Sequence, residues 1–485
     1  MEELTIGPAI LLVLALGLAL AFEFVNGFHD TANAVATVIY THTLPPKAAV
    51  VWSGLWNLLG VLASSGAVAF SVLALLPVEL ILNVGSAAGF AMVFAMLLSA
   101  ITWNLGTWYL GLPASSSHTL IGSIMGVGLA NAMMKHSQFG DGVNWIKARE
   151  VFLSLLISPV IGFVFSLLLV VLAKKFIDNP DLFRDPHKEK APPPWIRSIL
   201  FMTCTGVSFA HGSNDGQKGM GLILLILIGI LPGQYAVNLA LPAATIQEVR
   251  TTARSSSAAL PQMTAISAEE ATRELSAFLK SNGAVTNATL TALAEKTSAI
   301  TRQLDGVTRL DQLPVAGRRE FRSNAYLVGE SVSKLKRLAQ LPAAAQAPLL
   351  QLRSGLDSAT HHIPLWVKIA VALALSLGTM IGWERIVITV GEKIGKSHLT
   401  YAQGAAAEIS AMTTIFAADG LGLPLSTTHV LSSGIAGTML ANRSGLQGGT
   451  LRNILLAWVL TLPVCVFLGA LLFALVLNVL LSLGL

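Results

Sequence analysis

The sequence predicts an all-α polytopic membrane protein with two inverted repeats of about five membrane segments each, broken helices, and a polar helical insert in the second repeat. Of its 485 residues, 53% are hydrophobic and 12% are charged, and the mean hydropathy is +0.68. Soluble globular proteins carry about 25% charged residues, so this composition favours a membrane protein. Two polar motifs each occur twice, in the same order, which predicts a duplication of the whole membrane unit.

Apolar windows of bilayer length, about 20 residues, recur along the chain. In the first half they are Leu4–Phe24 with a continuation to about His42, Ala48–Leu76, Ala87–Trp108, the shorter Pro113–Met133 and Val151–Ala173. In the second half they are Ile199–Ala210, Met220–Leu241, Leu365–Val390, Leu399–Ala418, Pro424–Ala441 and Leu451–Leu483. The start lacks the basic region of a signal peptide, so we expect the first window to be a retained span.

Two polar stretches divide these windows into predicted units. The units are residues 1–173 as the first membrane repeat, 174–197 as a basic hinge loop, 198–242 as the start of the second repeat, 243–363 as an extramembrane helical insert, and 364–485 as the rest of the second repeat. The basic hinge is expected on the cytoplasmic side, and an odd number of crossings per repeat then places the insert outside. A regulatory or oligomer-contact role for the insert stays open.

The first duplicated motif is Asn26–Ala34, which returns as His211–Gly219. Asp30 aligns with Asp215. Carboxylates at membrane depth are costly and usually face a cavity or a pathway. Each motif interrupts an apolar stretch, so we expect a broken helix at each copy and one central site built from both halves.

The second duplicated motif is Pro113–Leu120, which returns as Pro424–Leu431. Asp215 follows Asp30 by 185 residues, whereas Pro424 follows Pro113 by 311. The difference of 126 is close to the length of the insert, so one insertion into the second copy explains both offsets.

The second motif has the chemistry of an anion site. In each copy a proline precedes three consecutive hydroxyl residues and a histidine, a pattern that starts a helix and leaves its backbone N–H groups free for an anion. The predicted ligands of a tetrahedral oxyanion are Ser115, Ser116, Ser117, Ser426, Thr427 and Thr428. Serine and threonine in membrane helices also bond to their own backbone, but a duplicated triple favours the anion site.

Acidic residues beside an anion indicate coupling to a cation. Asp30 and Asp215 must either carry a proton or share a cation with the anion, and they are therefore also the candidate metal ligands; the structural alternative is a cap on a broken helix. Lys218 can neutralise the anion or pair with Asp215. Glu408 is a further coupling candidate. The secondary candidates, which can relay protons or satisfy helix ends, are Asn26, His29, His118, Asn214 and His429.

The two motif pairs resemble the duplicated signatures of the inorganic phosphate transporter (PiT) family. The resemblance covers both membrane halves and is closest to the bacterial low-affinity carriers. It implies proton-coupled uptake of phosphate as a neutral complex with Mg²⁺, Ca²⁺ or Zn²⁺, whereas other branches use Na⁺. The core site implied by the resemblance is Asp30, Asn33, Ser116, Ser117, Asp215, Thr427 and Thr428. His29 and Lys218 replace asparagines of the more symmetric family pattern, which favours protons over sodium.

We therefore expect a secondary transporter of the bacterial inner membrane that imports phosphate, without an enzymatic cofactor. Its expected partners are phosphate, a divalent metal ion and the lipid bilayer; a homo-oligomer stays open, and the net charge of +5 lies mostly in loops and does not indicate nucleic acid. The alternatives are sodium coupling, arsenate or sulfate as substrate, and a passive anion channel. A further alternative is an intramembrane hydrolase with Ser117 as nucleophile and His118 or His429 as base.

Overall fold

The computed structural model describes residues 6–30, 32–76, 85–135, 142–186, 191–261, 266–280 and 285–484, without the side chains of Ala32, Asn33 and Ile146. Within these ranges the chain forms helices and no β-strand. The all-α prediction is confirmed. Long apolar stretches in a membrane must satisfy their own backbone hydrogen bonds, and the α-helix does so within one segment.

The helices follow one another in three groups. The first half contains α1 (Ile6–Asp30), α2 (Ala32–Tyr40), α3 (Pro46–Ala63), α4 (Ala67–Leu73), α5 (Ala87–Tyr109), α6 (Ser116–Met134) and α7 (Trp145–Phe176). Next come α8 (Pro194–Ile230), the short α9 (Pro232–Tyr235), and α10 (Ala243–Ala259), α11 (Ala268–Lys280), α12 (Asn287–Gln303), α13 (Val315–Arg337) and α14 (Ala343–Thr360) of the insert. The chain closes with α15 (Leu365–Met380), α16 (Glu384–Glu392), α17 (Tyr401–Gly420), α18 (Thr427–Ala441) and α19 (Gly448–Ser482).

Four helical stretches of the described part are long and apolar enough to cross a membrane by themselves. They are Ile6–Tyr40, Ala87–Tyr109, Lys147–Phe176 and Gly448–Ser482. Two more apolar stretches are bent, by 76° between α3 and α4 and by 72° between α14 and α15. Helix α18, with 15 residues, is shorter than a bilayer span, and α6 and α8 contain the polar residues of the motifs. The count of about five crossings per repeat remains a prediction.

The predicted break at Asp215 is wrong. Helix α8 runs without interruption from Pro194 to Ile230 and carries the whole second copy of the first motif. This stretch contains no proline after its start, and its glycines serve close packing: a Cβ at Gly212 would lie 2.1 Å from the backbone oxygen of Asn57. In the first copy, α1 ends at Asp30 and α2 begins at Ala32; Thr31 between them lies outside the described residues.

Breaks occur instead at two glycines in the left-handed region. Gly66, with φ of 89°, separates α3 from α4, and Gly382, with φ of 75°, lies between α15 and α16. Only glycine adopts such φ values without strain. The continuous windows predicted at Ala48–Leu76 and Leu365–Val390 are therefore each divided into two helices.

The helices of the two halves pack in reciprocal pairs. Helix α1 packs against α15 and α3 packs against α8, while α6 packs against α19 and α18 packs against α7. Each motif helix is thus enclosed by helices of the other half. The two buried membrane clusters accordingly draw residues from both halves, which places the motifs at the centre of the molecule.

The insert has a hydrophobic core of its own. Leu275, Phe321, Leu335 and Leu352 belong to a cluster of buried residues separate from the two membrane clusters. Arg337 of α13 also bonds to Glu150 at the start of α7, with Nη1 2.5 Å from Oε1. The insert therefore folds around its own core and contacts the first membrane half through a salt bridge.

Candidate functional site

Asp30 connects the first motif with both copies of the second. Its carboxylate is buried at the end of α1. Ser116 Oγ donates to Asp30 Oδ2 at 2.9 Å, and Thr428 Oγ1 donates to Oδ1 at 2.5 Å. His29 Nδ1 lies 3.2 Å from Oδ1. One carboxylate therefore gathers hydroxyl groups from the first turns of α6 and α18, which belong to opposite halves of the chain.

The remaining hydroxyl residues of the second motif have different roles. Ser115 caps α6 by accepting from the His118 N–H at 3.2 Å, and Ser426 caps α18 by accepting from the His429 N–H at 3.1 Å. These caps fix the starts of the two helices, where the first backbone N–H groups have no partner within the helix. Ser117 donates to the Leu425 carbonyl at 2.5 Å, whereas the buried Thr427 hydroxyl has no partner among the described residues.

Asp215 lies in an ion-pair cluster on α8. Lys218 Nζ is 2.8 Å from Asp215 Oδ1, and His211 Nε2 is 3.5 Å from Oδ2. The Lys218 ammonium and the Asp215 carboxylate are close enough for an ion pair, but neither group forms a hydrogen bond of good geometry in the described part. Of the two sequence-based roles for Lys218, pairing with Asp215 is the one observed in this conformation.

The two aspartates of the first motif meet. One ligand atom each of Asp30, His211 and Asp215 lies within 4.8 Å of the others, and all three side chains are buried. Carboxylate oxygens suit hard divalent cations, and imidazole suits zinc. The residues therefore fit a divalent cation that would sit beside the two hydroxyl-lined helix starts.

Glu408 lies in a separate polar contact. Its oxygens accept hydrogen bonds from Thr37 of α2 and Thr203 of α8, and the side chain is fully buried. None of these bonds involves Asp30 or Asp215. The structure therefore does not bring this coupling candidate into the central cluster.

The motif histidines face one another rather than a nucleophile. The rings of His118 and His429 are 4.7 Å apart, and His429 stacks on Trp458 at 3.9 Å. Ser117 bonds to a backbone carbonyl, and no hydrogen bond between Ser117 and either histidine occurs among the described residues. His29 Nε2 lies 3.0 Å from Thr107 Oγ1.

Three asparagines are also predicted as site residues, namely Asn214, Asn26 and Asn33. Asn214 donates to the Leu423 carbonyl at 3.4 Å. The side chain of Asn26 is buried and lies beside Glu23. The side chain of Asn33 lies outside the described residues.

The profile of the PHO4 phosphate transporter family matches residues 26–469. This chain belongs to the phosphate transporter family. The match includes both membrane halves and all four motif copies. Membership indicates a transporter rather than an enzyme, and with its apolar helices it describes a multi-pass protein of the bacterial inner membrane.

Relatives in this phosphate transporter family align over nearly the whole chain. The chain is 42% identical to the low-affinity inorganic phosphate transporter PitA of Escherichia coli (strain K12), with 96% of both chains covered. It is 40% identical to the low-affinity inorganic phosphate transporter of Buchnera aphidicola subsp. Acyrthosiphon pisum, again with 96% of both covered. A solved sodium-dependent phosphate transporter shares the fold, with a TM-score of 0.53, 20% identity, and coverage of 98% of this chain and 100% of that one.

Two polar residues near the site, Asp419 and Gln217, are not among the residues predicted from the sequence. Asp419 accepts from Ser213 Oγ at 2.7 Å and from Gln217 Nε2 at 2.5 Å. Gln217 lies within the first motif, and Asp419 lies at the end of an apolar window. Their position in or next to the motifs could have indicated them from the sequence. Their mutual contact joins α8 to the end of α17, which only the fold reveals.

Proposed function

We propose that this chain is a secondary active transporter that imports inorganic phosphate, as a metal–phosphate complex, by proton symport. The observation that carries the proposal is the contact of Asp30 with Ser116 and Thr428. This contact joins a carboxylate of the first motif to the helix starts of both second-motif copies, which supports one buried centre for the proposed anion and cation ligands.

Phosphate is expected at the starts of α6 and α18. Helix N-termini bind anions through their free N–H groups and the positive end of the helix dipole. Ser116, Thr427 and Thr428 supply hydroxyl donors, and Lys218 supplies the positive charge. A phosphate bound there would take over donors that serve Asp30 in the conformation described above.

The divalent ion is cargo that travels with phosphate. Asp30 and Asp215 would bind it through oxygen, and His211 would add a nitrogen ligand for zinc. The metal lowers the charge of phosphate, so the complex enters a buried site at a smaller desolvation cost than the free anion. Sodium coupling is the alternative. Any cation bound at Asp215 would displace the Lys218 ammonium, which lies 2.8 Å from its carboxylate in this conformation.

The proposed mechanism is alternating access between two inverted repeats. The reciprocal packing of α1 on α15 and α3 on α8 supports two exchanged copies, namely residues 1–173 and the pair 198–242 and 364–485. A rocking motion of one repeat against the other would open the central site to each side in turn. Residues 174–197 would link the repeats, and residues 243–363 would form an extramembrane insert.

The decisive experiment is uptake of radiolabelled phosphate by the purified protein in proteoliposomes. Imposed ΔpH is combined with Na⁺ or K⁺ buffers, with and without Mg²⁺. We expect accumulation driven by ΔpH in K⁺ buffer and increased by Mg²⁺. Uptake that follows only a Na⁺ gradient would contradict proton symport, and equilibration without accumulation would identify a channel. Competition by sulfate, which carries no proton at neutral pH, would contradict selectivity for phosphate.

A further inference from the structure

Glu23 is a buried acid that the proposed mechanism does not use. It lies on α1, seven residues before Asp30, and its side chain is 0% exposed. Its polar neighbours are the Asn26 side chain and the Gly219 backbone, but neither forms a well-aligned hydrogen bond to the carboxylate oxygens in the described part. Lys218, whose charge acts on Glu23, forms its ion pair with Asp215 instead.

The space that Glu23 occupies is created by Gly219. A Cβ at Gly219 would lie 2.3 Å from Cγ of Glu23 and 2.6 Å from Cδ. The carboxyl group thus lies against the backbone of α8, one residue after Lys218. The side chain of Asn26, a polar neighbour of Glu23, is also buried, so the place is polar.

The two halves of the chain differ at this cluster. With the alignment of Asp30 and Asp215, the position of Glu23 corresponds to Ser208, that of Lys218 to Asn33, and that of Gly219 to Ala34. The acid of the first repeat thus faces a base and a glycine of the second repeat, whereas the symmetry-related set has a serine, an asparagine and an alanine.

Lys218 and Asp215 are the charged neighbours of Glu23. Both come from α8 and both act electrostatically on it. Among the other helices that pack against α1, helix α15 carries only Lys368, which donates to the Ser64 carbonyl at 2.8 Å. Helices α2 and α5 each carry one tyrosine at the end as their sole titratable group. Complete burial disfavours a carboxylate anion, so the position of Glu23 favours its protonated form.

We propose that Glu23 carries the co-transported proton and that Lys218 and Asp215 couple its protonation to phosphate binding. This inference rests on the proposed function. With Glu23 protonated, the charges of Lys218 and Asp215 cancel, and phosphate can bind beside them. Loss of the proton adds a negative charge that repels phosphate across a low-dielectric interior.

Phosphate and proton therefore bind together and leave together, because linkage between two sites is reciprocal. The proton comes from water on one side of the membrane and returns to water on the other. Only the O–H bond of Glu23 forms and breaks, and no oxidant or reductant takes part.

The test is Glu23→Gln, which keeps the shape and the neutral form of the protonated acid. Purified variant in proteoliposomes is assayed for ΔpH-driven phosphate accumulation and for phosphate exchange at equal pH on both sides. We expect accumulation to fall to the level of protein-free vesicles while phosphate exchange persists. Exchange by the wild-type protein should decline at alkaline pH, where Glu23 loses its proton, and exchange by the variant should not. Glu384→Gln, the same change at an exposed acid, should retain both activities.

Two outcomes separate this inference from the proposed function. Wild-type protein without ΔpH-driven uptake contradicts the proposed function itself. Wild-type protein with such uptake, alongside a Glu23→Gln variant that accumulates equally well, overturns the role of Glu23 alone.

A second measurement does not require transport. Infrared spectra of the wild-type protein in lipid should contain a carboxylic-acid C=O band that Glu23→Gln removes and Glu384→Gln does not. The absence of a Glu23-dependent band would overturn the protonated state even if the variant exchanges no phosphate.

Discussion

Asp30 is the residue at which the two motif types meet, and its charge is the property to test. Asp30→Asn keeps the volume and removes the anion that accepts from Ser116 and Thr428. We expect ΔpH-driven phosphate uptake to be lost while the protein still inserts and elutes as a single species. The measurement is proteoliposome uptake with size-exclusion chromatography. Asp178→Asn in the exposed hinge is the matched control, and normal uptake by Asp30→Asn would remove Asp30 from the mechanism.

Ser116 and Ser117 are adjacent serines with different partners. Ser116 donates to the Asp30 carboxylate, whereas Ser117 donates to the Leu425 backbone carbonyl. In the proposed mechanism the Ser116 hydroxyl passes from Asp30 to the bound phosphate. A hydrogen bond to a charged group contributes about 1.5–3 kcal/mol, so Ser116→Ala should raise the KM for phosphate by about tenfold or more. Ser117→Ala should instead mainly lower thermal stability, since it removes a contact between the halves. Equal effects of the two changes on KM would contradict this division of roles.

At the scale of the elements, the glycines of the first motif let helices approach closely. A Cβ at Gly27 would lie 2.2 Å from the Leu375 carbonyl oxygen of α15, and a Cβ at Gly212 would lie 2.1 Å from that of Asn57 on α3. The two glycines occupy matching positions in the two motif copies. Their function is therefore close packing between the halves, and backbone atoms cannot move aside as a flexible side chain can.

Gly212→Ala should consequently destabilise the protein. Overpacking typically costs about 1–3 kcal/mol, so we expect a lower melting temperature in detergent, measured by intrinsic fluorescence. Gly106→Ala on α5 is the control because no atom lies within 4 Å of the added Cβ, and alanine is the better helix former. A Gly212→Ala variant as stable as the control would contradict the observed helix contact.

At the scale of the whole molecule, the inverted arrangement predicts the side of each polar segment. The two native cysteines, Cys204 and Cys465, are buried and free, so wild-type protein should give little background with a membrane-impermeant maleimide. Asp178→Cys in the hinge should be labelled only from the cytoplasmic side. Lys336→Cys in the insert should be labelled only from the outer side. Labelling of both from the same side would exclude the predicted five-crossing inverted topology.

The sequence by itself determined the membrane class, the four motif copies and the residue types of the site, because burial cost restricts polar groups at membrane depth to a few functional positions. Offsets between the motif copies also predicted the insert. The sequence did not determine that α8 continues through Asp215, since glycine is compatible with both a break and a close helix contact. Nor did it reveal that Asp30 meets Thr428, that Asp419 bonds to Gln217, or that Glu23 lies against Gly219. These pairs come from helices far apart in the chain, and only their packing in three dimensions decides which buried charge has a partner.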